Sequence, residues 1–191
     1  MKRSLITAAL LGFVLTLAQA QADETLFNRR GLGLTGAWGG WTTGIAYFSD
    51  HPALTKGGFG GLEFGKNLYL GWAGYKTVNR VPFATDQLSK FGFDYGGLML
   101  GYAPGAKHPI HPQFGVLVGG GEAWAENTNS DAVWVIQPSL GVEFNIFRWF
   151  RIGLEGGYRY VSNLDIPDYS DEDLSNLYGS LRLKFGWSWG K

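Results

Sequence analysis

The sequence predicts an all-β protein, an eight-stranded antiparallel up-and-down transmembrane β-barrel. Three observations predict it. Apolar and polar residues alternate with a period of two in about eight segments. Beyond the N-terminus, no apolar run is long enough for a transmembrane helix. The composition combines 30 glycines with 16% aromatic residues, as membrane barrels require. A membrane-spanning chain without apolar helices must close its strands into a barrel, because lipid offers no hydrogen-bond partners to the backbone.

The N-terminal segment is predicted to be a signal peptide. Two basic residues follow Met1, and residues 5–17 form an apolar run of about 13 residues. The small-x-small sequence that ends at Ala20 fits a cleavage site. Because the apolar run is shorter than the ~20 residues of a membrane span, an anchor is disfavoured. We therefore expect residues 1–20 to be removed and residues 21–191 to form the barrel.

Eight strands are predicted from the alternation. They are Gly31–Trp38, Phe59–Gly65, Leu68–Thr77, Phe91–Tyr102, Gln113–Trp124, Val133–Ile146, Arg151–Val161 and Leu177–Trp187. The first strand is short as drawn, and in an alternative it continues through Trp41 to Phe48. Most of these segments are near the ~9–11 residues that a tilted strand needs to cross a bilayer.

The connections are predicted to alternate in length. Tight turns are expected at 66–67 and 147–150, and long polar loops at 39–56, 78–90, 125–132 and 162–176. Short turns at one end and long loops at the other are typical of outer-membrane barrels. The connection Ala103–Pro112 is an exception, because it falls on the short-turn side yet has about ten residues.

The alternation is sharpest in the last three strands, where one face is aliphatic and the other polar. Pattern alone does not say which face is outside, because a soluble sandwich or a lipocalin-like barrel would place the aliphatic face inward. Polar faces rich in glycine, serine, glutamate and arginine favour lipid outside. We therefore expect the following side chains to contact lipid: Leu140, Val142, Leu154 and Leu183.

Charge and cysteine content exclude several classes of function. Lysine plus arginine and aspartate plus glutamate both number 16, so the formal net charge is zero. A neutral chain argues against a nucleic-acid partner, which needs a basic surface. The absence of cysteine excludes disulfides, thiolate catalysis and zinc–thiolate sites.

The mature chain resembles the small eight-stranded outer-membrane proteins of the OmpA/OmpX type. The resemblance covers nearly all of residues 21–191 and lies in pattern and size. The segment Leu181–Trp189 resembles the aromatic-ending last strand that the barrel-assembly machinery recognises, although Gly190 and Lys191 follow its last aromatic residue. The resemblance implies an outer-membrane location, with lipids and the assembly machinery as partners.

His51 lies beside Ser49 and Asp50, and serine, histidine and an acid are the side chains of a hydrolytic triad. Neighbouring side chains in a chain diverge, so this trio is not expected to form one. Some small barrels are lipid A deacylases or acyltransferases with a histidine and a serine on a late strand, but the late strands here carry no histidine.

The histidines His108 and His111 have a spacing that could suit a metal. Prolines fix the intervening segment, and no third ligand is near in sequence. We therefore interpret them as part of a solvated turn, and no metal or cofactor is predicted.

Acidic residues are dense in the last long loop: Asp165, Asp168, Asp171, Glu172 and Asp173. Oxygen ligands at this density suit Ca²⁺, but the spacing does not match an EF-hand. An acidic, solvated loop is the preferred interpretation.

The polar faces of the last three strands predict an ion-pair network in the lumen. Its members are Glu143, Glu155, Arg159, Arg182 and Lys184. Strand pairing is expected to bring Glu155 close to Arg182, and the turn at 147–150 to bring Glu143 near Glu155. Buried charges persist only when paired, because an unpaired one costs about 3–5 kcal/mol.

The sequence therefore favours a non-enzymatic outer-membrane barrel with a side-chain-filled lumen and an envelope-structural or surface-interaction role. An outer-membrane lipid-modifying enzyme is the main alternative. A small-solute channel is another, although eight strands leave a lumen that side chains about fill. No surface partner is identified by the sequence.

Overall fold

The computed structural model describes residues 33–48, 51–78, 81–82, 90–125, 130–166 and 169–189. Its strands are β1 (Leu34–Phe48), β2 (His51–Phe64), β3 (Leu68–Thr77), β4 (Val81–Pro82), β5 (Lys90–Tyr102), β6 (Ile110–Ala125), β7 (Asp131–Phe147), β8 (Phe150–Ser162) and β9 (Asn176–Ser188). One short helix, α1 (Asp171–Leu174), lies between β8 and β9. The predicted signal peptide and its cleavage site lie outside the described residues.

The strands form a closed, antiparallel, up-and-down barrel of eight long strands. Each pairs with its neighbour along the chain, β1 pairs with β9, and β3 pairs with β5. The two-residue strand β4 pairs with the first two residues of β5. Closure leaves no long strand with an unpaired edge, as the predicted fold class requires.

The structure corrects the prediction for the first hairpin. The segment 39–56 is not a long loop, because β1 continues to Phe48 and β2 begins at His51. Glycine and threonine in this segment indicate a loop by composition, but the ladder pairs Gly39 with Gly60 and Trp41 with Gly58. Pairing with both neighbouring strands provides hydrogen-bond partners for the backbone of these glycines and threonines. They can therefore lie in a strand despite the low strand propensity of glycine. The alternative in which the first strand extends to Phe48 is confirmed.

The connections divide the barrel into two ends, which we call the turn end and the loop end. Residues 65–67, 103–109 and 148–149 connect strands at the turn end. In the first of these turns Gly65 and Lys66 both have positive φ, as the two central residues of a type I′ turn require, and the backbone N–H of Asn67 donates to the carbonyl of Phe64 at 3.3 Å. At the loop end β1, β3, β6 and β8 end, and β2, β5, β7 and β9 begin. The 103–109 turn is shorter than predicted, because β6 begins at Ile110.

The aliphatic face lies outside, as predicted. Leu140 is 67% exposed and Leu154 is 52% exposed, and Val142 is exposed on the same face, whereas Leu183 is only partly exposed. Most exposed aromatic side chains lie towards the two ends, although Trp41 and Trp72 lie near the middle of β1 and β3. Those towards the ends include Tyr47, Trp124, Trp134 and Tyr160 near the loop end and Tyr102, Phe147, Trp149 and Trp187 near the turn end. Such a distribution is typical of the aromatic girdles of membrane barrels. In the described part of the chain, no helix is long and apolar enough to cross a membrane.

Candidate functional site: the charged lumen

The candidate site is the lumen, whose charged side chains follow from the period of two along each strand. In β7, Gln137, Ser139 and Glu143 occupy inward positions, and Pro138, Leu140 and Val142 point outward. In β9, Ser180, Arg182 and Lys184 occupy the inward positions. Three groups of polar contacts, at the middle, the turn end and the loop end, are stacked along the barrel axis.

The middle group contains the ion pair of Glu155 and Arg182. The guanidinium Nη1 lies 2.9 Å from Glu155 Oε2. Ser180 Oγ donates to Glu155 Oε1 at 3.1 Å, and Gln113 Nε2 lies 3.5 Å from Oε2. Arg182 also lies over the ring of Phe59, 4.0 Å from its centroid. Both side chains of the pair are therefore buried with partners, which offsets the loss of their hydration.

The turn-end group is centred on Glu143, whose side chain is 2% exposed. Arg151 Nη1 lies 3.0 Å from Glu143 Oε1, and Lys184 Nζ lies 3.1 Å from Glu143 Oε2. His111 Nε2 lies 3.3 Å from Oε1. One carboxylate therefore contacts side chains from three other strands.

Glu63 extends the turn-end group to the opposite wall. Its Oε2 accepts a hydrogen bond from Ser188 Oγ at 3.0 Å and lies 3.8 Å from Arg151 Nη2. Thr35 Oγ1 donates to Glu63 Oε1 at 3.2 Å. Arg151 also lies over the indole of Trp38, 3.9 Å from the ring centroid. Residues from strands that are distant in sequence thus meet across the lumen.

The loop-end group is formed by Arg159, which is fully buried. Its Nε donates to the carbonyl of Leu174 at 3.0 Å, and Nη2 donates to the carbonyl of Tyr47 at 3.4 Å. The guanidinium lies 4.5 Å from the ring centroid of Phe48 and 5.1 Å from that of Phe93. Carbonyl oxygens and aromatic faces stabilise this cation.

The structure therefore places the predicted network residues in separate groups. Glu155 and Arg182 lie together, and Glu143 and Lys184 lie together. Arg159 forms no salt bridge with a described residue, which differs from the predicted network. It lies four residues along β8 from Glu155, about 13 Å at the usual rise of a strand.

Sequence reasoning missed three members of the turn-end group: Glu63, Arg151 and His111. Arg151 follows a tight turn on the polar face of β8, so the alternation marks it as inward. The His108–His111 interpretation is wrong in part, because His111 is buried against Glu143 while His108 stays exposed. His111 enters the lumen because β6 begins one residue before it, so it occupies the first inward position of that strand.

Two acidic residues of the last loop accept hydrogen bonds from the backbone. Asp171 Oδ1 accepts from the backbone N–H of Leu164 at 2.8 Å, and Asp173 Oδ2 accepts from the backbone N–H of Ser170 at 2.8 Å. These contacts fix the β8–β9 loop and cap α1. No group of three or more metal-ligating side chains occurs among the residues that the structure describes. Asp168 lies outside the described residues, as do Ser49 and Asp50, the neighbours of His51 in the sequence.

A small cavity lies inside the described part of the barrel. A cavity of about 50 Å³ lies between the middle and turn-end groups, and its lining includes Glu143, Glu155, Arg182 and Lys184. This volume holds about one or two waters. Side chains therefore fill most of the lumen at this level.

Comparisons with known proteins identify the fold. No family model and no curated protein matches the chain. Among solved structures, Neisserial surface protein A (NspA) matches with a TM-score of 0.58 and 11% identity, over 81% of this chain and 96% of that chain. The N-terminal β-barrel domain of Pseudomonas aeruginosa OprF matches with a TM-score of 0.57 and 11% identity, over 81% and 98%. The chain has the fold of the small eight-stranded outer-membrane barrels of the OmpA/OmpX type.

Proposed function

We propose that the protein is a non-enzymatic outer-membrane barrel with an envelope-structural or surface-interaction role. A closed barrel with apolar side chains outside and paired charges inside carries the proposal. Exposed apolar side chains such as Leu140 and Leu154 suit a lipid environment. In water, covering them would require a partner protein. The fold shared with NspA and OprF supports the outer membrane as the location.

The charged lumen serves in this proposal as a plug that stabilises the barrel. Glu63 and Glu143 lie with Arg151 and Lys184, and Glu155 lies with Arg182, so the carboxylates and cations of these groups balance. Balanced, hydrogen-bonded charges that meet across the lumen restrict the space through which a solute could pass. This arrangement favours a structural role over a small-solute channel.

The loop end is proposed to face the cell exterior and the turn end the periplasm. Short turns and both chain ends on the periplasmic side are the usual arrangement in outer-membrane barrels. The β8–β9 loop, which carries α1 and its acidic residues, then presents a structured surface to the outside. A surface-interaction role would use this end.

Cysteine accessibility on intact cells tests the proposal. The chain has no cysteine, so a single introduced thiol reports one position. Glu172→Cys at the loop end and Lys107→Cys at the turn end are matched variants, because both side chains are exposed. A membrane-impermeant maleimide should label Glu172→Cys on intact cells and Lys107→Cys only after permeabilisation. Equal labelling of both on intact cells, or labelling of neither until lysis, contradicts the proposed location and orientation.

A further inference from the structure

A row of charged side chains on the outer face of the barrel has no role in the lumen. Four exposed residues on adjacent strands form it: Lys56, Lys76, Asp94 and Glu122. The ladder places them directly side by side, because Lys56 pairs with Lys76, Lys76 with Asp94, and Asp94 with Glu122. The two cations therefore occupy one half of the row and the two carboxylates the other half.

Apolar side chains lie on both sides of this charged row. Towards the loop end, Leu54, Val78 and Trp124 are exposed on the same outer face. Towards the turn end, Trp72, Leu98 and Val118 are exposed. Charged side chains on the lipid face of a barrel are destabilising in proportion to their depth. Four of them within an apolar surface indicate that this part of the wall contacts something other than lipid tails.

A row of glycines lies next to the charged row on its turn-end side. Gly58 pairs with Gly74, Gly74 with Gly96, and Gly96 with Gly120. Packing within the chain does not require glycine at two of these positions. A Cβ added at Gly58 would lie 3.5 Å from its nearest neighbour, and one at Gly74 would lie 3.9 Å from its own. The absence of side chains there leaves the backbone open to close approach from outside.

The order of the charges suits a second copy of the same chain. Two barrels inserted in one membrane in the same direction can be related by a twofold axis along the membrane normal, and such an interface brings the same patch of both copies together. With the axis between β3 and β5, the cationic half of each row faces the acidic half of the other. Lys76 of one copy then faces Asp94 of the second copy.

We propose that the outer face of β2, β3, β5 and β6 is a homodimer interface, centred on Lys76 and Asp94. Complementary charges fix the register of the two copies, the glycine row permits close backbone approach, and Trp72 and Leu98 add apolar contact. The inference rests on the membrane insertion proposed above. It concerns the outer wall and is independent of the lumen.

The test uses two differently tagged copies expressed together and extracted from outer membranes in mild detergent. Wild-type copies should capture each other. Lys76→Glu makes the centre wholly acidic and Asp94→Lys makes it wholly basic, so each single variant should lose self-capture by about tenfold or more, since like charges across an interface oppose association. Lys76→Glu should instead capture Asp94→Lys, and the double variant should capture itself.

Two controls separate this interface from effects within one barrel. Each variant must still change gel mobility on heating, because the single variants also place like charges side by side on β3 and β5. Gly74→Cys should be cross-linked to a second copy in the membrane by a short bifunctional maleimide, whereas Leu154→Cys on the opposite wall should not. Absence of wild-type self-capture from outer membranes overturns the dimer but leaves the proposed function standing. Capture by the single variants that equals the wild type overturns the charge pairing.

Discussion

Replacing Arg182 by glutamate is expected to lower the free energy of unfolding by about 3–5 kcal/mol. The arginine lies 2.9 Å from Glu155 Oε2. The change therefore removes the only cation within salt-bridge distance of that carboxylate among the described residues and adds a second carboxylate. The new pair of like charges is buried among Gln113, Ser180 and the Phe59 ring. Neither group can regain its full hydration without opening the barrel.

The reverse change at the partner should restore part of this loss. In the double variant with Glu155→Arg, the ion pair is rebuilt with its polarity exchanged, although Ser180 and Gln113 must reorient around the new guanidinium. Unfolding in urea from lipid vesicles, followed by tryptophan fluorescence, measures the three variants. Arg148→Glu on the exposed turn is the matched control and should change little. If Arg182→Glu behaves like this control, the two side chains are not packed together in the folded protein.

Replacing Glu143 by alanine is expected to have an effect of similar size, about 3–5 kcal/mol. Its carboxylate contacts Arg151, Lys184 and His111. Arg151 retains a weaker contact with Glu63 at 3.8 Å, but no other described carboxylate lies within 4 Å of Lys184 Nζ. The main consequence is therefore a buried ammonium without its counter-ion.

The double variant Glu143→Ala with Lys184→Met identifies that cause. Removing the unpaired ammonium should recover part of the lost stability, because an apolar pair avoids the desolvation of a lone charge. Glu172→Ala, which removes an exposed carboxylate, is the matched control. If the double variant is no more stable than Glu143→Ala, the stability is lost through packing rather than through charge pairing. The same urea unfolding measurement applies.

Much of the fold is predictable from the sequence, because lipid outside and a narrow lumen inside impose a strict alternation. In β7, β8 and β9 most residues at alternate positions are aliphatic or aromatic, so the strands and their two faces follow from the pattern, and the composition of the polar face favours lipid on the other side. The first hairpin is less predictable. Its glycines and threonines lie in β1 and β2 because these strands pair with each other. The strand propensity of single residues does not predict that pairing.

The candidate site is predictable only where it is built from neighbouring strands. Glu155 and Arg182 lie on paired strands, so register alone brings them close. Glu63 meets Arg151 and Ser188 because β1 pairs with β9 and closes the barrel. The stagger of that closure is a property of the whole sheet, so no local pattern indicates the contact. The alternation predicts Arg159 in the same network because it indicates which face a residue lies on, but not how far along the barrel axis the residue lies.

The mobility of the unheated protein on a gel tests the central claim, a closed barrel in the outer membrane, most directly. Outer membranes from cells expressing the full chain are solubilised in detergent and divided into heated and unheated samples. We expect the unheated protein to migrate as a compact species that shifts on heating, because no strand can leave a closed barrel without exposing unpaired backbone groups. Identical mobility in the two samples, or recovery of the protein in the soluble fraction, would contradict the account.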